Sequence, residues 1–235
     1  MARIIKEEEY AAKRNEILDA AQRLVYAKGY EQMSIQDILN QLHISKGAFY
    51  HYFDSKSALL EALIERMLHE VVQFLSPVVQ DPDLPALVKL QCYLDSAAQW
   101  KTTQKDYLLG LLSIWYADEN AVFRQKMLNS SIHKISPMLA EIIRQGIREG
   151  VLNTAYPDQA AETVLYLMQG VGDKFVEPLL KGKPAQADLL GIEKVVAAYT
   201  DGMERILGAP PGSIQLIKPE TLQFWFGAPK EHPPH

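Results

Sequence analysis

Apolar positions Ile17, Ala20, Ala21, Leu24 and Val25 recur every three or four residues through an otherwise polar stretch, which predicts a helix from about Glu8 to Lys28. Gly29 follows the last periodic residue and ends that helix as a C-cap. Ser34-Ile35-Gln36-Asp37 has capping-box spacing, after which Ile35, Ile38, Leu39 and Leu42 mark one face of a helix barely two turns long. So short a helix is unstable alone and needs neighbours. His43-Ile44 supply a tight connection and Ser45 caps a third helix, whose Ala48, Phe49, Tyr52 and Phe53 return to the same small core. A fourth helix is predicted from Ser55 to about Ser76, with Leu59, Leu60, Leu63, Ile64, Met67, Leu68, Val71 and Phe74 on its apolar stripe.

Pro77, Pro82 and Pro85 punctuate the chain before a second set of helices, expected near 84–102, 105–116, 120–149, 158–180 and 188–207. Pro137 is expected to kink or divide the third of these, because proline lacks a backbone donor and clashes with the preceding turn. No segment has sustained strand alternation and there is no internal repeat, so the fold class is all-α. The predicted organisation is a three-helix domain over 1–54, a larger helical domain over 55–208 entered through the linking helix 55–76, and a Pro-rich tail over 209–235. In that tail Leu222, Phe224, Trp225 and Phe226 suit folding back on the domain or covering a subunit edge, while the final Pro-His-rich residues read as disordered.

Length and composition narrow the class. At 235 residues, with 48% hydrophobic and 23% charged side chains, the chain can bury a sizeable core and is not a disordered protein. One cysteine, Cys92, excludes an internal disulfide framework and a multi-cysteine zinc site, and fits a reducing compartment. Acidic residues occupy the N-terminal stretch where a signal peptide needs an apolar core, and no later run reaches about 18 apolar residues, so export and membrane spanning are not expected. A cytoplasmic location follows as an expectation. The net charge of -5 does not advertise a polyanion partner, but residues 1–57 carry eight basic and eight acidic side chains, leaving the whole excess on the remainder. Local charge therefore decides.

Two short helices across a tight turn suit a helix-turn-helix, in which the second helix enters the major groove. General bundles also contain such pairs. The polar face of the third helix distinguishes this one: Ser45, Lys46, Gly47, Tyr50 and His51 emerge while Phe49 and Phe53 anchor it. Gly47 leaves no side chain between the backbone and an approaching surface, or is simply a weak helix position. Lys46 suits a phosphate, and Tyr50 suits a phosphate or a base methyl. Ser34 caps its own helix and could also receive a phosphate, as could Lys56 at the start of the fourth helix. His51 and Tyr52 divide between backbone contact and local packing.

The stretch MSIQDILNQLHISKGAFYHYFDSKSALLEAL, residues 33–63, with the upstream AKGYEQ, resembles the DNA-binding segment of the TetR family of bacterial transcriptional regulators. The resemblance spans about Ala11 to Phe74, and Ser45 to Phe53 resembles the family's recognition helix. It implies DNA-positioning roles for Ser34, Lys46, Gly47, Tyr50, His51 and Lys56, with Ser45 and Tyr52 beside them, and packing roles for Phe49 and Phe53. Ala48 supplies no base-reading hydrogen bond. The resemblance further implies operator DNA as partner, a small-molecule effector, and a homodimer formed through the last two long helices. The interface candidates are Leu165, Phe175, Val176, Val195, Val196, Tyr199, Met203 and Ile206, some of which could equally be intramolecular core.

For the effector, Tyr93, Trp100, Tyr107, Trp115, Tyr116, Phe123 and Met127, extended by Met138, Ile142 and Met168, combine large apolar bodies with a few polar edges. They suit a hydrophobic ligand cavity or ordinary core. An anion held by His133 or Arg144 is a weaker option. No cofactor or metal is called for, and no H-E-x-x-H, Walker-type loop or nucleotide-binding glycine pattern supports an enzyme. Cys92 sits in an apolar helical pattern and reads as a small buried side chain. The remaining alternative is a helical interaction module without sequence-specific DNA binding.

Overall fold

The computed structural model describes residues 2–181 and 186–226, so the final Pro-His-rich residues lie outside the described part. Among the described residues there are α-helices and one short 3-10 turn, with no strand. The order is α1 (Ala2–Gln32), α2 (Ile35–Leu42), α3 (Lys46–Tyr50), α4 (Lys56–Gln80), α5 (Ala86–Thr103), α6 (Lys105–Tyr116), α7 (Ala121–Arg148), α8 (Pro157–Lys181), α9 (Gln186–Leu207) and α10 (Pro219–Phe226). No helix among the described residues is long and apolar enough to cross a membrane.

The chain forms two compact units. The first comprises residues 1–70 and 104–121, the second 71–103 and 122–235. Helix α4 runs from the first into the second, and α6 returns to the first, an excursion that a linear division at residue 54 does not anticipate. Its reason is packing on α1. Val25 and Tyr107 are both buried, Tyr26 stacks on Tyr107 with ring centroids 5.1 Å apart, and the Tyr26 hydroxyl donates to Gln104 Oε1. Gly110 makes that approach possible: a Cβ there would sit 2.8 Å from the Val25 carbonyl oxygen. Gly110→Val is therefore expected to cost about 1–3 kcal/mol of stability through overpacking against rigid backbone, measured as a lower denaturant midpoint.

Gly29 breaks α1 at φ 78°, a left-handed conformation that favours glycine, and one further turn reaches Gln32. The regular helix therefore ends at Gly29, where the sequence places its end, and a short helical turn carries the chain on to Gln32. Pro77 does not stop α4, which continues to Gln80, and Pro137 lies inside the single helix α7. In both cases buried residues follow the proline: Val79 in α4, and Leu139, Ala140, Ile142 and Ile143 in α7. Their burial holds the helix against a local cost of about 3 kcal/mol per proline.

The second unit's core joins α5, α7, α8 and α9 with the C-terminal segment. Buried Glu204 on α9 accepts the backbone N–H groups of Gly212 and Ile214, both at 3.0 Å, which fastens the chain after Gly208. Ile214, Leu216, Leu222 and Phe226 are then buried, Trp225 packs against the core, and the Phe226 ring meets Phe175 edge-on at 5.0 Å. The tail is folded back as far as Phe226, although Phe224 is half-exposed.

Candidate nucleic-acid interface

The α2–α3 pair is built by its caps. The Ser34 hydroxyl oxygen accepts the Asp37 N–H at 3.2 Å, and Asp37 Oδ2 accepts the Ser34 N–H at 2.7 Å, completing the capping box. Lys28 of α1 reaches the same carboxylate at 2.8 Å. The Lys28 ammonium, then the Ser34 donors, hold the Asp37 carboxyl well below the usual carboxylate range. Its contribution to stability is therefore complete above the ordinary carboxylate pKa and is lost as the pH falls through that range toward the depressed folded value. Asp37→Asn is expected to flatten the acid limb: between pH 7 and pH 3, urea midpoints fall less in the variant than in the parent.

His43 closes α2 in the left-handed region, at φ 52°, and its N–H donates to the Leu39 carbonyl. This non-glycine left-handed residue makes the tight turn; asparagine, aspartate and histidine tolerate the conformation better than most. Ser45 then caps α3, its hydroxyl oxygen accepting the Ala48 N–H at 3.1 Å. Phe49 is 0% exposed and lies 5.9 Å from the ring of buried Phe53, over which the Arg14 guanidinium sits at 5.0 Å. The inner face of α3 is thus fixed by aromatic packing.

The outer face carries the predicted polar residues. Lys46 and His51 are exposed, Tyr50 is 41% exposed, and the Lys46 ammonium lies 5.9 Å from the Tyr50 ring centroid. At Gly47 an added Cβ would meet only the Ser45 hydroxyl, at 3.9 Å, so the chain's own packing does not require a glycine there. His51 and half-buried Tyr52 form an aromatic cluster with Tyr10 of α1, at centroid distances of 5.6 and 4.8 Å. Tyr10 lies on the same face of α1 as Ile17, two turns earlier and outside the run of apolar residues that periodicity picks out.

Lys56 has a role that its surface character conceals. Its ammonium donates to the Glu31 carbonyl at 3.3 Å and lies 4.3 Å from the Tyr30 ring centroid, while the Tyr30 hydroxyl donates to the Lys56 carbonyl at 2.8 Å. Partial burial lowers the Lys56 pKa, and burial pushes the Tyr30 phenol up to about 12. The pair clips the end of α1 to the start of α4.

The expected effector residues separate. Tyr107, Trp115 and Tyr116 belong to the first unit, and Tyr107 is a buried packing partner of Tyr26 rather than a cavity wall. Tyr93 and Ile142 are wholly buried in the core of the second unit, with Met138 and Met168 partly buried against it. Trp100 and Met127 are also buried in that unit, and the Phe123 side chain lies outside the described residues. A cleft of about 370 Å³ opens elsewhere in this unit, between α9 and the 212–222 segment, lined by Val196, Thr200, Ile214 and Leu222 among others. None of the described effector candidates lines it.

Of the interface candidates, Met203, at 0% exposed, and Val196 are core residues of this chain and cannot offer a free face. Leu165, Phe175, Tyr199 and Ile206 are partly buried against the same core. Gly170 permits the α8–α9 crossing within the chain, since a Cβ would meet the Tyr199 ring at 3.0 Å. Val176 and Val195 are half-exposed, and Tyr166, Leu180 and Leu190 are exposed apolar residues on the same two helices.

A capped helix, a left-handed turn and a short helix with a buried aromatic face and a polar outer face define a helix-turn-helix DNA-binding regulator rather than an enzyme. The chain belongs to the TetR family. Residues 17–63 match the family model "Bacterial regulatory proteins, tetR family", and residues 115–177 match "Tetracyclin repressor-like, C-terminal domain". The HTH-type transcriptional regulator TtgR of Pseudomonas putida is 28% identical over 211 residues, covering 86% of this chain and 95% of that protein. Among solved structures, a TetR-family transcriptional regulator from Pectobacterium atrosepticum superposes with a TM-score of 0.65 at 19% identity, covering 86% of this chain and 98% of the other. SmeT, the repressor of the Stenotrophomonas maltophilia multidrug efflux pump SmeDEF, gives 0.59 at 17% identity, with 88% and 96% covered.

Proposed function

We propose that the protein is a cytoplasmic homodimeric repressor that binds a palindromic operator through α3 and is released by a small, largely hydrophobic effector. The observation that carries the DNA reading is the outer face of α3. Lys46, Tyr50 and His51 are exposed there, and Gly47 leaves open space over a helix whose opposite face is buried at Phe49. Such a surface admits close backbone approach to a groove, with Lys46 neutralising phosphate and Tyr50 reaching a phosphate or a base methyl. Ser34, Ser45 and Tyr52 position the pair, and Lys56 holds the entry to α4. The dimer reading rests on the apolar residues exposed along α8 and α9, and two copies related by a twofold axis favour a palindromic site.

The effector reading rests on the large apolar side chains of the second unit: Tyr93 and Ile142 lie in its core with Met138 and Met168 packed against them, and Trp100 and Met127 are also buried in that unit. Such a ligand acts only by binding the DNA-compatible and DNA-incompatible states with different affinities.

The test is an in vitro selection of DNA sequences by the purified full chain, with competitor DNA at near-physiological salt. Enrichment of one palindromic sequence supports the reading and supplies a probe for effector release. Absence of enrichment with folded, dimeric protein favours the interaction module instead.

A further inference from the structure

The cleft between α9 and the 212–222 segment has a built shape and a single sign of charge. Its volume of about 370 Å³ is that of a small-molecule pocket, and it lies wholly within the second unit. Along α9, Glu193, Ala197, Thr200 and Glu204 recur every three or four residues and so share one face. The opposite wall is fastened to α5: the Gln91 side-chain amide donates to the Gln215 carbonyl at 3.0 Å, its oxygen accepts the Gln215 N–H at 2.9 Å, and Lys218 pairs with Asp95 at 2.8 Å. The chain's own contacts thus shape the cleft, which spares an occupant the cost of ordering it. Val195, the half-exposed interface candidate on α9, lies about 160–180° around the helix from Glu193, Ala197 and Glu204, so a partner on that face leaves the cleft open.

Buried Val196, Ile214, Leu216 and Leu222 give the cleft apolar walls. Its charged lining residues are Glu193, Asp201 and Glu204, with no lysine, arginine or histidine among the described ones. Asp201 is neutralised by Arg205, which donates to both of its oxygens at 2.8 and 3.0 Å. Glu204 is different. It is only 7% exposed, yet its carboxylate accepts nothing but the Gly212 and Ile214 N–H groups and has no cationic partner among the described residues. Those two donors fill about half of a carboxylate's acceptor positions, and a buried negative charge is costly until a cation meets it. Exposed Glu193, at the other end of the same face, also lacks an ion-pair partner among the described residues. Eleven residues of helix separate the two, about 16 Å along the axis.

We propose that this cleft binds an elongated organic dication with an apolar middle, such as a long-chain α,ω-diamine, with one ammonium at Glu204, the other at Glu193 and the methylene chain along Val196, Ile214 and Leu222. The site is separate from the effector residues proposed above, none of which lines it among those described. Its test needs no DNA, so the operator-binding reading stands or falls independently.

Calorimetric titration of the full chain with 1,10-diaminodecane is compared with 1-aminodecane, which has one charge at the same length, and with 1,4-diaminobutane, which has both charges but cannot span the carboxylates. All three are used below the concentrations at which they aggregate. The long diamine is expected to bind once per chain, about fivefold more tightly than the monoamine, because the second ammonium meets an exposed carboxylate. It exceeds the short diamine by at least about a hundredfold, through the methylenes that leave water. Glu204 is kept in place because it also fastens the C-terminal segment; the variants are Glu193→Gln and Ala197→Phe, both at exposed positions and checked for a parental melting midpoint. Glu193→Gln abolishes the preference for the diamine over the monoamine, and Ala197→Phe, which fills the middle of the cleft, weakens both ligands about a hundredfold. Absence of saturable diamine binding, equal affinity of the parent for the diamine and the monoamine, or diamine binding that neither substitution alters overturns the inference.

Discussion

Replacing Lys46 and Tyr50 together by alanine is expected to weaken operator binding at least a hundredfold while leaving the protein folded and its oligomeric state unchanged. Each complex with a twofold protein is deprived of both side chains twice over. Two tyrosines worth about 1 kcal/mol apiece already change affinity about thirtyfold, and two phosphates left without their lysines add to this and make the salt slope about 1.8 less steep. The fold does not depend on either side chain. Tyr50 is 41% exposed and meets Phe49 only edge-on, and Lys46 is exposed above it. Fluorescence anisotropy on the selected operator, with helicity and solution mass measured in parallel, checks the result; unchanged affinity would remove α3 as the reading element. Phe49→Ala provides the contrast. It empties a wholly buried aromatic site at an expected cost of about 3–5 kcal/mol, so DNA binding is lost together with cooperative melting rather than apart from it.

The sequence carries the fold and the recognition helix unequally. Periodicity places α5 to α9 to within a few residues, whereas α1 begins at Ala2, six residues before the expected start; capping residues place α2 and α3 because Ser34, Asp37 and Ser45 act locally. Local signals mislead at Pro77, where α4 continues to Gln80, and Pro137 does not divide α7; burial of the residues beyond each proline outweighs its local cost. Three features have no local signal. The return of α6 to α1 depends on Gly110 meeting Val25, the clip at Lys56 on Tyr30 and a backbone carbonyl, and the support of α3 on Tyr10. All are pairings between distant segments. The effector and interface residues are the least legible, because a large apolar side chain on a helix has the same spacing whether it meets core, ligand or partner. Met203 and Tyr107 illustrate this: spacing suits both to an outward role, and both are buried inside the chain.

Val176→Glu/Leu180→Glu is expected to yield a monomer that binds the full operator at least a hundredfold more weakly than the parent. Tyr166, Val176 and Leu180 lie on one arc of α8, and the last is 55% exposed, an uncommon position for so many apolar groups unless a partner covers them. Charges placed there face solvent in the separated chain and cost the fold little, whereas buried across a twofold interface each meets its own copy without compensation. Dimerisation matters to DNA binding because the second recognition helix engages its half-site at a high effective concentration once the first is bound; a monomer forfeits that gain although every DNA-contacting side chain remains. Solution mass and operator affinity therefore fall together, while weak binding to an isolated half-site persists. A variant that remains dimeric moves the interface to another face of the second unit. A monomer that binds the full operator as tightly as the parent would mean that affinity arises within one chain, and twofold symmetry would no longer account for a palindromic site.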